Sequence, residues 1–253
     1  PQRIIVTKSN LAPDQLGRLL DLAESHGMTL SRLPRLTDFR RGLADRIEVQ
    51  PIDVEDLLGR PQAVLERPAM QQLIGGQRVL ITGAGGTIGS ELVRQIAAFG
   101  PAQLTLVDHS EFNLYTVDQE LGRDFPDLPR EIRLADVRDR RHVAAVFADA
   151  RPQLVFHAAA LKHVHLVEAN PGEGVLTNVA GSRNIADLCQ EFGVEAMVQV
   201  STDKAVNPTG VMGATKRAAE AYCQALDIAG RDAAEPRTRF ITVRFGNVLG
   251  STG

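Results

Sequence analysis

The chain contains no tryptophan, two cysteines and only 4% aromatic residues among its 253. Two cysteines are too few for a disulfide framework. Cys189 and Cys223 each fall in an expected helix and read as small buried hydrophobes in a reducing compartment. There is no lysine or arginine block, and the formal net charge is −3, which argues against a nucleic-acid surface. No apolar run is long enough to span a bilayer, and no leader-like stretch opens the chain. These residues are therefore expected to lie in the cytoplasm without membrane contact. No repeat or low-complexity segment is visible. The chain also lacks a starting methionine. It opens at Pro1 on an immediate strand and stops at Gly253 just after another, and it reads as a piece of a longer protein. Its 43% hydrophobic content supports one full domain plus a smaller piece.

What is present is organised around residues 79–93. Val79-Leu80-Ile81 is a short apolar run with a β-branched bias, the pattern of a buried parallel strand. It breaks at Thr82-Gly83-Ala84-Gly85-Gly86-Thr87-Ile88-Gly89 and resumes with helical periodicity through Leu92, Val93 and Ile96. Strand, glycine turn and helix form the context of a dinucleotide-binding fingerprint. Gly83 would allow the tight turn, Gly85 and Gly86 a close backbone approach to a pyrophosphate, and Gly89 close packing of helix on strand. The helix N-terminus would then face the phosphates. A glycine-rich turn without a ligand is the competing reading, and a second strand weakens it. Leu104-Thr105-Leu106-Val107 ends in Asp108, nineteen residues after Gly89, where the fingerprint expects an acid for the ribose hydroxyls.

From residue 77 the β-α pattern repeats, the mark of a doubly wound parallel sheet of Rossmann type. Strands are expected at 78–82, 103–108, 132–135, 154–157, 196–201 and 240–243. The helices between them are expected at 87–99, 111–121, 140–149, 172–192 and 213–226. Residues 1–36 read as strand, helix, strand, the back half of an upstream α/β domain, with Ser9 or Asn10 as helix cap and Pro13 in its first turn. Residues 37–75 read as a connector, and 76–253 as the nucleotide-binding catalytic domain.

Ligands in such sheets sit beyond the carboxyl ends of the strands. The third strand delivers Asp136-Val137, placed to hold an adenine ring, although Asp136 could instead cap the next helix. The fourth delivers Ala158, Ala159 and Ala160, small enough for a nucleotide backbone to pass, and then Lys162-His163-Val164-His165. His163 and His165 have no evident third ligand, so no metal site is expected. The fifth delivers Ser201-Thr202-Asp203-Lys204, a hydroxyl, a carboxylate and an amine in sequence. Met212 and Lys216 follow at i and i+4, on one helical face.

The glycine turn and Asp136-Val137 resemble the extended short-chain dehydrogenase/reductase superfamily. Several segments resemble one family within it: Val107-Asp108-His109-Ser110-Glu111, His157-Ala158-Ala159-Ala160-Leu161-Lys162-His163-Val164, Ser201 through Thr209, Met212 through Arg217, and Val243-Arg244-Phe245-Gly246-Asn247-Val248. That family is the polysaccharide-biosynthesis nucleotide-sugar 4,6-dehydratases acting on UDP-N-acetylglucosamine-type substrates. Residues 1–75 resemble the region preceding the catalytic domain in the long, membrane-anchored members, which face the cytoplasm from the inner membrane.

The resemblance implies C4 oxidation by NAD, loss of water across C5–C6 and hydride return to C6. It implies cofactor contacts from Gly83, Gly85, Gly86, Thr87, Ile88 and Gly89, then from Asp108, His109 and Ser110, from Asp136 and Val137, from Ala158, Ala159 and Ala160, and from Lys162, Asn178 and Lys216. It implies substrate contacts from Lys162, His163, Arg244 and Asn247. Thr202 would hold the C4 oxygen, Asp203 would be the acid for the C6 hydroxyl and Lys204 the C5 base. A neutral Lys204 requires burial or a neighbouring cation. Met212 stands where the wider superfamily has tyrosine, which leaves the C4 base between Asp203 and water near Thr202. The long members share this methionine, and the methionine form resembles those that retain configuration at C5. Asp108, with no arginine just after it, favours NAD over NADP. The resemblance further implies a homo-oligomer, paired through helices 111–121 or 172–192. The competing functions are an epimerase or reductase of the superfamily, and a non-catalytic dinucleotide-binding module.

Overall fold

The computed structural model describes residues 3–7, 11, 13–32, 50–51, 67–231 and 237–248. The chain divides into two compact units, Pro1–Glu66 and Arg67–Gly253. In the first, β1 (Arg3–Val6) pairs in parallel with β2 (Thr29–Arg32) across α1 (Pro13–Ser25), and β2 pairs antiparallel with β3 (Gln50–Pro51). The strand–helix–strand reading holds, while the expected caps Ser9 and Asn10 lie outside the described residues. Leu16, Ala23 and Leu30 are buried against Ile4, Val6 and Met28, so these few elements carry a small apolar cluster of their own.

The second unit starts with α2 (Arg67–Ile74), inside the expected connector. Ile74 is buried in the same core as β4, because Met70 and Ile74 share a face that closes on the sheet. The rest of that connector, apart from β3, lies outside the described residues. Six strands follow: β4 (Arg78–Thr82), β5 (Gln103–Asp108), β6 (Arg130–Leu134), β7 (Leu154–His157), β8 (Ala196–Thr202) and β9 (Arg239–Phe245). They pair in the order β6-β5-β4-β7-β8-β9, every pairing parallel. The doubly wound sheet is therefore present.

Alternation along the strands feeds two cores. Val79 and Ile81 join one with α3 (Thr87–Ala97) and α4 (Glu111–Asp124). Leu80 joins the other with α5 (Arg140–Ala150), α8 (Ser182–Glu191) and α9 (Val211–Arg231). Burial on both faces is why the strands read as unbroken apolar runs. Cys189 and Cys223 are buried and unpaired in the second core.

The single helix expected at 172–192 is instead α7 (Pro171–Gly174), a wider π-helical segment (Val175–Gly181) and α8. A short helix, α6 (Val164–Ala169), precedes it and was not foreseen. Helix α9 starts earlier than expected because the Glu168 carboxylate accepts from Val211 N at 2.6 Å, supplying a partner that no residue nearby in sequence offers. Among the described residues, no helix is long and apolar enough to cross a membrane, so nothing in this structure supports the expected membrane association.

Candidate active site

Strand order reverses at β4, which lies between β5 and β7, and two adjoining cavities open there above the strand ends. They share Gly83, Gly86, Ala158, Ala160 and Leu161. The smaller, about 260 Å³, is lined by Asp108, His109, Asp136, Val137, Arg138 and Glu173 among others. The larger, about 560 Å³, brings together Lys162, His163, Thr202, Lys204, Met212 and Lys216, with Asn247. Hydrogen-bonding acids gather at one end and amines at the other, a division that suits a nucleoside and a diphosphate-bearing ligand respectively.

The glycine turn is built for close approach. Gly83 has φ +67°, and a Cβ there would lie 2.5 Å from Ala159 N. A Cβ on Gly89 would lie 1.8 Å from Gly83 O, so the helix packs on the turn only without a side chain. At Gly86 a Cβ would meet only Gly83 O, at 3.3 Å, and this residue caps α3 without a side-chain hydrogen bond. The helix start is thus open towards the cleft, where Thr87, Ile88 and Gly89 also line it. A dinucleotide fits these residues: an uncovered helix N-terminus for its phosphates, and Ala158 and Ala160 opposite.

Asp108 is 7% exposed, and both its oxygens are held: Oδ2 accepts from Gly85 N at 2.9 Å and Oδ1 from Ser110 N at 3.0 Å. Gly85 and Ser110, expected at the cofactor, do not line the cavities. The Gly85 N–H is spent on Asp108, and Ser110 Oγ caps α4 by accepting from Asn113 N. Asp136 does not cap α5. Asp139 does, accepting from His142 N. Asp136 accepts from Arg138 N and Nε at 2.9 and 2.8 Å, and the guanidinium holds its carboxyl below the usual range.

In the larger cavity Lys216 is 6% exposed and its Nζ donates to Val200 O at 2.6 Å. Burial lowers its pKa to about 8, partly offset by Glu220. Met212, 4% exposed, sits one turn earlier on the same face. Thr202 ends β8, and its hydroxyl donates to Asp203 Oδ1 at 3.0 Å while accepting from Lys204 N. Lys204 Nζ donates to Asp203 Oδ1 at 3.3 Å and to Asn247 Oδ1 at 3.2 Å.

Arg244 and Asn178 also depart from their expected contacts, and Asp203 and Lys204 stand in surroundings other than those expected. Asp203 does not line the cleft. Hydrogen bonds from Thr202 and Lys204 hold its carboxyl below the usual range, so in this arrangement it is ionised and not yet an acid. Lys204 is 45% exposed, and its Nζ lies 3.3 Å from Asp203 Oδ1. Arg244 does not reach the cleft, because Glu220 binds both its Nε and Nη2, at 2.9 and 2.6 Å. Asn178, 0% exposed, has no atom left for a cofactor. Its Oδ1 accepts from Leu161 N, and its Nδ2 donates to Leu161 O and Thr215 Oγ1, so it clamps the segment after β7. Widening of the helix turns Asn178 inwards.

One buried group was not foreseen. His157 is 0% exposed, with Nδ1 2.6 Å from Thr82 Oγ1 and Nε2 2.9 Å from Ser182 Oγ. The Ser182 hydroxyl already donates to Asn178 O, so it accepts from His157 Nε2–H. That assigns the neutral ring, with Nδ1 accepting from Thr82. Burial lowers its pKa to about 3, and Lys216 adds to the effect.

Sheet order, glycine turn and the buried lysine one turn after Met212 together define an extended short-chain dehydrogenase/reductase. Residues 79–253 match the family described as polysaccharide biosynthesis protein, and the chain belongs to it. It is 38% identical over 253 residues to the capsular polysaccharide biosynthesis protein CapD of Staphylococcus aureus, covering 100% of this chain and 41% of that protein. It is 34% identical over 183 residues to a UDP-N-acetylglucosamine 4,6-dehydratase (inverting) of Campylobacter jejuni, covering 72% of this chain and 52% of that one. A crystal structure of UDP-glucose-4-epimerase from Stenotrophomonas maltophila, with bound NAD and formylated UDP-arabinopyranose, superposes with TM-score 0.56 at 27% identity, covering 66% of this chain and 52% of that one. The chain thus spans about two fifths to one half of the length of these relatives.

Proposed function

We propose that this chain is the NAD-binding catalytic part of a nucleotide-sugar 4,6-dehydratase that acts on a UDP-N-acetylhexosamine, UDP-N-acetylglucosamine foremost, in making a cell-surface glycan. The observation that carries this reading is that Thr202, Lys204 and Lys216 share one cleft with the glycine turn. Bound NAD would accept a hydride from sugar C4 and return it at C6. Gly83, Gly86, Thr87, Ile88 and Gly89 would hold its pyrophosphate, Asp108 its adenosine ribose, Asp136 and Val137 its base, and Lys216 its nicotinamide ribose. NAD is preferred to NADP because the Asp108 carboxylate would repel a 2′-phosphate. Lys162, His163 and Asn247 would meet the sugar nucleotide.

Thr202 would hold the C4 oxygen, with water beside it taking the hydroxyl proton, since the Met212 thioether is only a weak acceptor. The C4 ketone makes the C5 proton acidic. The Asp203–Lys204 ion pair can then supply both remaining roles. A proton passed from Lys204 Nζ to Asp203 Oδ1, which lie 3.3 Å apart, would ready the pair for both. Lys204 would take the C5 proton, and Asp203 would give its proton to the departing C6 hydroxyl; as hydride reaches C6, C5 would take up the proton released from the C4 hydroxyl, returned by water in the cleft. The pair ends in the charge state in which it began.

The test is mass spectrometry of UDP-N-acetylglucosamine incubated with the whole protein and NAD. The expected product is lighter by one water, and Lys204→Ala and Asp203→Asn should each lower turnover by at least about a hundredfold. The epimerase reading, favoured by the likeness to the Stenotrophomonas structure, requires a product of unchanged mass. That outcome, or full turnover in Lys204→Ala, would overturn the assignment. The Campylobacter relative is named as inverting, and NMR of the product would read the C5 configuration here.

A further inference from the structure

Arg138 follows directly on Asp136-Val137, and its guanidinium reaches in two directions. Nη2 lies 2.6 Å from Asp136 Oδ2, and Nη1 lies 2.8 Å from Glu173 Oε2. Asp136 belongs to the loop after β6, and Glu173 to α7, which are separate elements. All three side chains line the smaller cavity. The ion pair therefore ties together elements that the cavity otherwise separates. Asp136, whose carboxylate would meet the exocyclic amine of a purine, has both oxygens engaged by Arg138. A purine can claim an Asp136 oxygen only if the guanidinium shifts, and the Glu173 carboxylate is then the partner that keeps Arg138 in place.

We propose that Arg138 and Glu173 form a clasp over the adenosine end of the bound dinucleotide, slowing its release. The proposal rests on the dinucleotide reading of the cleft. It gives Arg138 and Glu173 a positioning role towards the cofactor and no part in the chemistry. Retention suits a reaction of zero net redox change, in which the cofactor need not leave between turnovers.

The test is the dissociation rate of NADH from the purified protein, read by stopped-flow fluorescence after dilution into excess NAD. Glu173→Gln keeps shape and removes charge at a half-exposed position, so folding is not at stake, and Glu173→Asp shortens the reach by one methylene. Both variants should release NADH about two- to fivefold faster, the range open to an exposed ion pair. Added salt should speed release from the parent protein and change it less in Glu173→Gln. Unchanged release in both variants, with NADH still bound, would overturn the clasp and leave the dinucleotide reading standing. Failure of the parent protein to bind NADH in the same assay would overturn both.

Discussion

His157 shows how a single residue can be decisive and yet illegible in a sequence. It closes an apolar strand, where a histidine looks like any other filler. Its partners Thr82 and Ser182 stand 75 and 25 residues away. No local pattern could announce them, because the contact exists only once β4, β7 and α8 have packed. The glycine turn was legible because its backbone geometry is set by spacing within one turn. The histidine carries a consequence for pH. Its folded pKa of about 3 lies below the ordinary 6.5, so the unfolded chain binds the proton first as pH falls. Its stabilising contribution is complete above about 6.5 and is lost between there and about 3. Glu220 adds a second acid-labile step. Burial raises its pKa, but hydrogen bonds from Arg244, Ser201 and Arg217 prevail and bring it to about 2. Its contribution is lost between about 4.5 and 2. Chemical denaturation as a function of pH should show stability falling through both windows, and His157→Gln should flatten the 6.5 to 3 stretch. An unchanged slope in that variant would remove His157 as the cause.

The elements were read well where the chain punctuates itself. Strands β4, β5 and β7 match their expected spans, each a short apolar run bounded by glycine, proline or a polar residue. The stretch from Pro171 to Glu191 was not, since a π-helical widening changes no residue type and leaves helical periodicity almost intact. Its effect appears in Asn178, which the family resemblance placed at the cofactor and which here clamps the Leu161 segment. Asn178→Ala would leave Leu161 N, Leu161 O and the Thr215 hydroxyl short of a partner. A loss of about 1–3 kcal/mol in unfolding free energy is expected from denaturant titration, together with weaker NADH binding because the Leu161 segment lines both cavities. An equally stable variant would show that this clamp contributes nothing. Arg244 failed for a related reason. Its motif was visible, but the carboxylate that claims it, Glu220, is 24 positions back on α9.

At the scale of the molecule, each unit carries its own apolar cluster, and among the described residues those of the larger one draw on residues of 67–253. A chain beginning at Arg67 should therefore keep the NADH affinity of the parent to within about threefold, measured by fluorescence titration. Loss of binding would show that the first unit is needed to build the cleft. A buried polar chain of the larger unit links β4 and β7 to α8 and α9: Thr82 donates to His157, His157 to Ser182, Ser182 to the Asn178 carbonyl, and the Asn178 amide to Thr215, which donates in turn to Met212 O. Every hydroxyl in it has one hydrogen, and each is already committed in the same sense. A proton handed along it would stop at the Asn178 carbonyl, which has none of its own to pass on. Buried and complete in its hydrogen bonds, this chain is a brace and not a proton relay.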